Sequence, residues 1–104
     1  MFKRLPEAES PIREVRIRLL RGPAASATFW EALDDAVVPE HSHGDQWGIV
    51  VEGELSLTIG RETRTYRRGD EYFIPAGTPH SARLPRGLRV IDVFDDPDRF
   101  RARP

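Results

Sequence analysis

Cysteine is absent from the 104 residues, which excludes disulfides, thiolate-bound zinc, iron–sulfur clusters and thiol nucleophiles. Long apolar runs are absent too. Trp47-Gly48-Ile49-Val50-Val51 is typical of the longest, far short of the ~20 residues a helix needs to cross a bilayer. Neither sign of charge dominates, with sixteen Lys+Arg against seventeen Asp+Glu and a net charge of -1. The chain therefore lacks the basic surplus that phosphate backbones attract, and nucleic acid is not an expected partner. The amino terminus, Met1-Phe2-Lys3-Arg4-Leu5-Pro6-Glu7, has no apolar core of a secretory signal, so a cytoplasmic protein without membrane attachment is expected. No Gly-rich phosphate loop, Gly-x-Ser-x-Gly elbow or independent Ser/His/Asp set occurs.

What the sequence has in quantity is turn residues. Nine prolines and eight glycines interrupt it too often for long helices. Between them lie short segments of period two. Val15, Ile17 and Leu19 alternate with Arg16 and Arg18, and Leu55, Leu57 and Ile59 alternate with Ser56 and Thr58. Each pattern gives a strand with one buried and one wet face. Further strands are expected at Ser26–Leu33, Val37–Val38, Trp47–Val51, Thr63–Arg67, Glu71–Ile74, Ser81–Leu84 and Leu88–Phe94, with hairpin turns around Gly53, Gly60 and Gly69. So many strands with no helical pattern between them predict an all-β fold, a sandwich or barrel of one domain over 1–104. One short helical turn is expected at Asp95–Phe100, and loose ends at 1–10 and 101–104.

Histidine is scarce, and its three copies are placed informatively: His41 and His43 flank Ser42, while His80 follows the corner Pro75-Ala76-Gly77-Thr78-Pro79. On a strand, residues i and i+2 share a face, so His41 and His43 look into one space. The corner delivers His80 to the same interior, and three neutral imidazoles there invite a divalent cation. Such a site should lose metal as the pH falls through the ordinary histidine range of ~6–7.

These offsets resemble the paired motifs of the cupin family. His41-x-His43, Gln46 and Gly53 match the first motif, and Gly69, Pro75, Gly77 and His80 match the second, together covering 41–84. The resemblance implies a single antiparallel jelly-roll β-barrel. It also implies one divalent transition metal, Zn, Ni, Fe, Cu or Mn, held by His41, His43, His80 and the residue at the first motif's glutamate position. That residue is Gln46 here, after a shortened spacer, with Asp45 beside it as an alternative. A neutral Gln46 leaves the ion more positive, a stronger Lewis acid less tightly held, and Gln46→Glu is expected to strengthen binding. Some small cupins acting on uronate-type sugars are similar in carrying Gln at this position. Leu84 stands where the family usually has Asn.

Two function classes fit a small cupin with a small-molecule ligand or substrate. One is an enzyme of isomerase, lyase or dioxygenase type at the metal; the other is a non-catalytic binding or sensor protein with a structural metal. Fold cannot choose between them. A homodimer is expected, because Trp47, Ile49 and Val51 must face outward if Gln46 faces inward. Trp30 and Trp47 could wall a ligand or simply pack. Arg13, Arg16, Arg18 and Arg21 read as the wet face of an edge strand, Asp95, Asp96 and Asp98 as a solvated turn, and Glu40 as solvated. Tyr66 and Tyr72 could donate protons if they face inward.

Overall fold

The computed structural model describes residues 2–104. After a single 3-10 turn at Phe2–Arg4, nine strands follow: β1 (Val15–Arg21), β2 (Ser26–Ala32), β3 (Ala36–His41), β4 (Gln46–Glu52), β5 (Glu54–Ile59), β6 (Glu62–Arg67), β7 (Glu71–Ile74), β8 (His80–Leu84) and β9 (Arg89–Phe94). They form two antiparallel sheets, ordered β1-β2-β9-β4-β7 and β3-β8-β5-β6, which face each other as a jelly-roll barrel. Among the described residues no helix is long and apolar enough to cross a membrane.

The alternating segments decide which face is inside. Val15, Ile17 and Leu19 of β1 and Leu55 and Leu57 of β5 are buried, as are Ile74, Leu84, Leu88 and Val90. Each such side chain contributes about 1.5–3 kcal/mol through its removal from water. Leu55, Leu57, Ile74, Leu84 and Val90 also face the space at which inward positions of β4, β8 and β9 carry polar groups. Gln46, His80 and Asp92 are all buried there.

Residues near both ends of the described chain hydrogen-bond to the barrel and to each other. Ala8 N–H donates to Ile17 O at 2.8 Å, Leu19 N–H to Pro6 O at 2.9 Å, and Glu9 N–H to Arg101 O at 2.7 Å. This segment runs beside β1, the edge of its sheet, and Glu7 receives Arg16 at 3.2 Å. The arginines of β1 thus anchor a covering strand: Arg18 donates to Leu5 O at 3.0 Å and Arg21 to Phe100 O at 2.9 Å. Residues 95–100, expected to be helical, form a turn in which Asp98 N–H donates to Asp96 Oδ1 at 2.8 Å. The Asp96 side chain thus caps the turn, and Arg99 N–H donates to Asp96 O at 3.4 Å.

Candidate metal centre

His41 ends β3 and His80 begins β8, and the two are opposed in register, although a bulge between Val38 and His41 interrupts the ladder. His43 lies in the loop that follows. The 75–79 corner is strapped to that loop: Gly77 N–H donates to His43 O at 2.8 Å, and Ala76 N–H donates to Asp45 Oδ1 at 2.7 Å. Gly77 has φ +76°, a conformation that favours glycine. The Pro/Gly corner therefore fixes the distance between His43 and His80. Asp45, the alternative fourth ligand, spends its carboxylate on this strap and is not among the clustered groups.

The three imidazoles converge, with ligand nitrogens all within 4.8 Å of one another. Each Nδ1 meets a backbone carbonyl: His41 to Pro39 O at 2.9 Å, His43 to Gly44 O at 2.8 Å and His80 to Thr78 O at 2.9 Å. A carbonyl only accepts, so each Nδ1 donates and holds the ring proton. Each Nε2 then presents its lone pair, which is the usual way a protein orients metal-binding histidines. The His43 and His80 Nε2 atoms lie 3.1 Å apart. Two acceptors at that distance repel unless they share a cation, so the donor set fits a divalent metal. Burial pushes His43 down to about 4 and lowers His80 as well. Both rings are neutral at neutral pH, and protons compete for them only at more acid pH than free histidine suggests.

The histidines open onto a cavity of about 560 Å³, within the size range of small-molecule sites. Gln46 lines it from β4. Trp30 does so from β2, its Nε1–H donating to Thr28 Oγ1 at 2.8 Å. Trp47 does not, since it lies on the outer face of the same sheet and is exposed. Tyr72 faces inward and its hydroxyl donates to Asp92 Oδ1 at 2.5 Å; half-buried Tyr66 stacks edge-on against it at 5.4 Å.

Asp92 and Arg99 are lining residues that sequence reasoning did not single out. Asp92 sits at an inward position between Val90 and Phe94, where a fully buried carboxyl is pushed up to about 6 by desolvation. A lone charge breaking the apolar period of β9 is the sequence signal for it. Arg99 has no such signal. It lies in the turn after β9, with its guanidinium carbon 4.5 Å from the Phe100 ring centre and 5.4 Å from that of Phe94. Among the described residues its Nε is the one buried side-chain polar atom without a hydrogen-bond partner.

An antiparallel β-barrel with three convergent, carbonyl-oriented histidines at one end of its interior defines a metal-capable jelly-roll protein. The cupin-domain model Cupin_2 matches residues 30–94, more than half of the chain, and the chain belongs to that family. It is 40% identical over 58 residues to H2HPP isomerase of Bacillus subtilis, a match covering 54% of this chain and 25% of that one. The chain spans about half, or less, of the length of the curated relatives it matches. Among solved structures it is similar to an RmlC-like cupin from Shewanella frigidimarina, with TM-score 0.81, 27% identity and coverage of 95% and 90%. It is also similar to KdgF from Halomonas sp., with TM-score 0.75, 27% identity and coverage of 84% and 83%.

Proposed function

We propose that this cupin is a metal-dependent enzyme acting on a small carboxylated organic molecule, with isomerase or lyase chemistry at a divalent ion held by His41, His43, His80 and Gln46. The observation that carries the reading is the convergence of three Nε2 atoms whose Nδ1 atoms are all fixed by carbonyls. The isomerase name of the Bacillus relative supports the reaction class. A bound divalent ion supplies Lewis acidity to a carbonyl or hydroxyl. The chain itself supplies orientation and dryness. Trp30, Phe94 and Phe100 form an edge-to-face aromatic wall, with ring centres 5.8 Å apart at each step, which excludes water from one side of the cavity.

Arg99 selects the substrate's charge. It lines the cavity and its burial lowers its pKa, a cost that a carboxylate entering the cavity offsets by pairing with the cation. Cobalt(II)-loaded protein titrated with pyruvate should change its visible spectrum as the carboxylate reaches the site. Arg99→Ala should weaken that binding by about 10-fold or more, in line with ~1.5–3 kcal/mol for a hydrogen bond to a charged group. Equal binding by the variant would remove Arg99 from the reading. Metal content of untagged protein, measured by mass spectrometry, tests the centre itself; a protein that stays metal-free in excess Zn²⁺, Ni²⁺ and Mn²⁺ would end the proposal.

The second copy of this chain is the proposed partner. Leu20, Ala27, Val93, Trp47 and Phe73 are aligned in register across all five strands of the first sheet. Leu20, Trp47 and Phe73 are each about half exposed, at 53%, 47% and 45%. A charge-free band of this width, in a chain with 32% charged residues, suits face-to-face packing of two sheets. Trp47→Glu, central in the band, should convert a dimer to a monomer in light scattering at micromolar concentration. A wild-type protein already at monomer mass would refute the pairing.

A further inference from the structure

Gly48 of β4 is paired on one side with Tyr72 of β7 and on the other with Asp92 of β9. Lacking a side chain, it leaves room for the other two to meet over its backbone, and a Cβ there would overlap both the Tyr72 ring and the Asp92 carboxylate. The Tyr72 hydroxyl donates to Asp92 Oδ1, its one hydrogen bond among the described residues. Two positions before Gly48 on the same inward face, Gln46 is the diagonal neighbour of Asp92 across the β4–β9 pair, and its amide, acting as a donor, holds the Asp92 carboxyl lower than burial alone would. An amide has two unlike ends. If nitrogen is committed to a carboxylate, which only accepts, the oxygen is free for something else.

We infer that Asp92, held by Tyr72 above Gly48, is a positioning residue that turns Gln46 so that Oε1, and not the amide nitrogen, is offered to the metal. The inference rests on the reading of Gln46 as fourth ligand. An amide nitrogen has no lone pair for a cation, so the wrong rotamer would remove the ligand without removing the residue. Asp92 also explains why glutamine suits this chain where glutamate is usual. A carboxylate at position 46 would lie beside a buried carboxylate, and one of the two would have to hold a proton. The gain expected for Gln46→Glu from sequence is thereby cancelled.

The substitution Asp92→Asn reverses the arrangement. The oxygen of the new amide is needed by the Tyr72 hydroxyl, so its NH₂ faces Gln46 and draws the Gln46 oxygen away from the metal. Zn²⁺ affinity, measured by competition with a chelator, should fall by roughly 10- to 100-fold in Asp92→Asn, the range found for residues that orient metal ligands. Gln46→Leu should lose a similar factor, and adding Asp92→Asn to it should cost little more. The double variant Gln46→Glu/Asp92→Asn should regain wild-type affinity or exceed it, since the amide introduced on β9 now donates to a carboxylate whose other oxygen binds the ion. Thermal unfolding of each metal-free variant controls for folding, and a purely structural role for Asp92 would not produce the rescue. If Gln46→Leu loses affinity while Asp92→Asn does not, or if the double variant stays weak, the positioning role is wrong and Gln46 remains a ligand. If Gln46→Leu binds Zn²⁺ like wild type, the fourth-ligand reading falls and the positioning role falls with it.

Discussion

His43→Ala and His80→Ala should each weaken Zn²⁺ binding by about 100-fold or more while leaving the far-ultraviolet spectrum that of an antiparallel β protein. The magnitude follows from the ~10–16 kcal/mol of a four-ligand zinc site, of which one ligand carries roughly a quarter. Both rings line the open cavity, so truncation removes donor atoms without cutting into the apolar core around Ile17. The two losses should not add, because removing either ligand already leaves an incomplete set. Glu62→Gln, exposed on β6, is the control and should bind as wild type does. Full occupancy in His43→Ala alongside loss in the carboxylate control would mean the ion sits elsewhere.

The second large effect is on stability and comes from Asp92. Complete burial raises its carboxyl from 3.8 to about 6 in the folded protein. The folded state therefore holds this proton more tightly than the unfolded one. Its stabilising contribution is complete below pH ~4 and is lost as the pH rises through about 6. A shift of two units corresponds to about 3 kcal/mol. Metal-free wild type should accordingly lose ground to metal-free Asp92→Asn between pH 4 and pH 7, the stability difference moving by about 3 kcal/mol in favour of the variant. Urea midpoints across that range read it directly. His43, lowered to about 4, acts in the opposite sense as the pH falls, but it is present in both proteins and cancels in the difference. A pH-independent difference would show that Asp92 does not titrate in this window.

The same residue that weakens the apo protein at neutral pH is the one proposed to aim Gln46. A buried carboxylate beside a metal centre is disfavoured until a cation arrives, and the ion's charge then offsets its desolvation. Stability measured with and without Zn²⁺ should therefore differ more in wild type than the ion's ligands alone would give.

The strand pattern was legible because it rests on periodicity. Leu55, Leu57 and Ile59 alternate with polar neighbours over a whole strand, and only an extended segment with one covered face satisfies that order. The sheet carrying Val15, Ile17 and Leu19 was equally readable; His41 and His43 do meet, but His43 lies beyond the end of β3 and is held by the loop's bond to Gly77 rather than by strand period. The corner at 75–79 was readable as well, since proline and a glycine at φ +76° fix a turn by local sterics. Where local rules competed, the sequence was a poorer guide. At Asp95–Phe100 the expected cap is present, since Asp96 Oδ1 accepts from Asp98 N–H, but the chain makes a turn there rather than a regular helix. The hydrogen bonds of residues 6–9 to β1, and of residues 101–103 to residues 7–9, are long-range pairings that composition does not reveal.

The sequence by itself determined the all-β class and the inward faces of the strands, because these depend on spacings of two residues and on turn sterics; it also pointed to the three histidines as one group, though the loop rather than a strand places His43. Tertiary structure alone decided the rest of the site. The pairing of Gly48 with both Tyr72 and Asp92 joins β4 to strands more than twenty and more than forty positions away, and nothing in their order announces it. Likewise the outward face of Trp47 followed from the inward one of Gln46, but the place of Trp30 in the cavity wall did not follow from its strand. Arg99 reaches the cavity only because the turn after β9 folds back over Phe94 and Phe100. Desolvation and hydrogen-bond partners are set by which surfaces meet in space, and those are properties of the closed barrel.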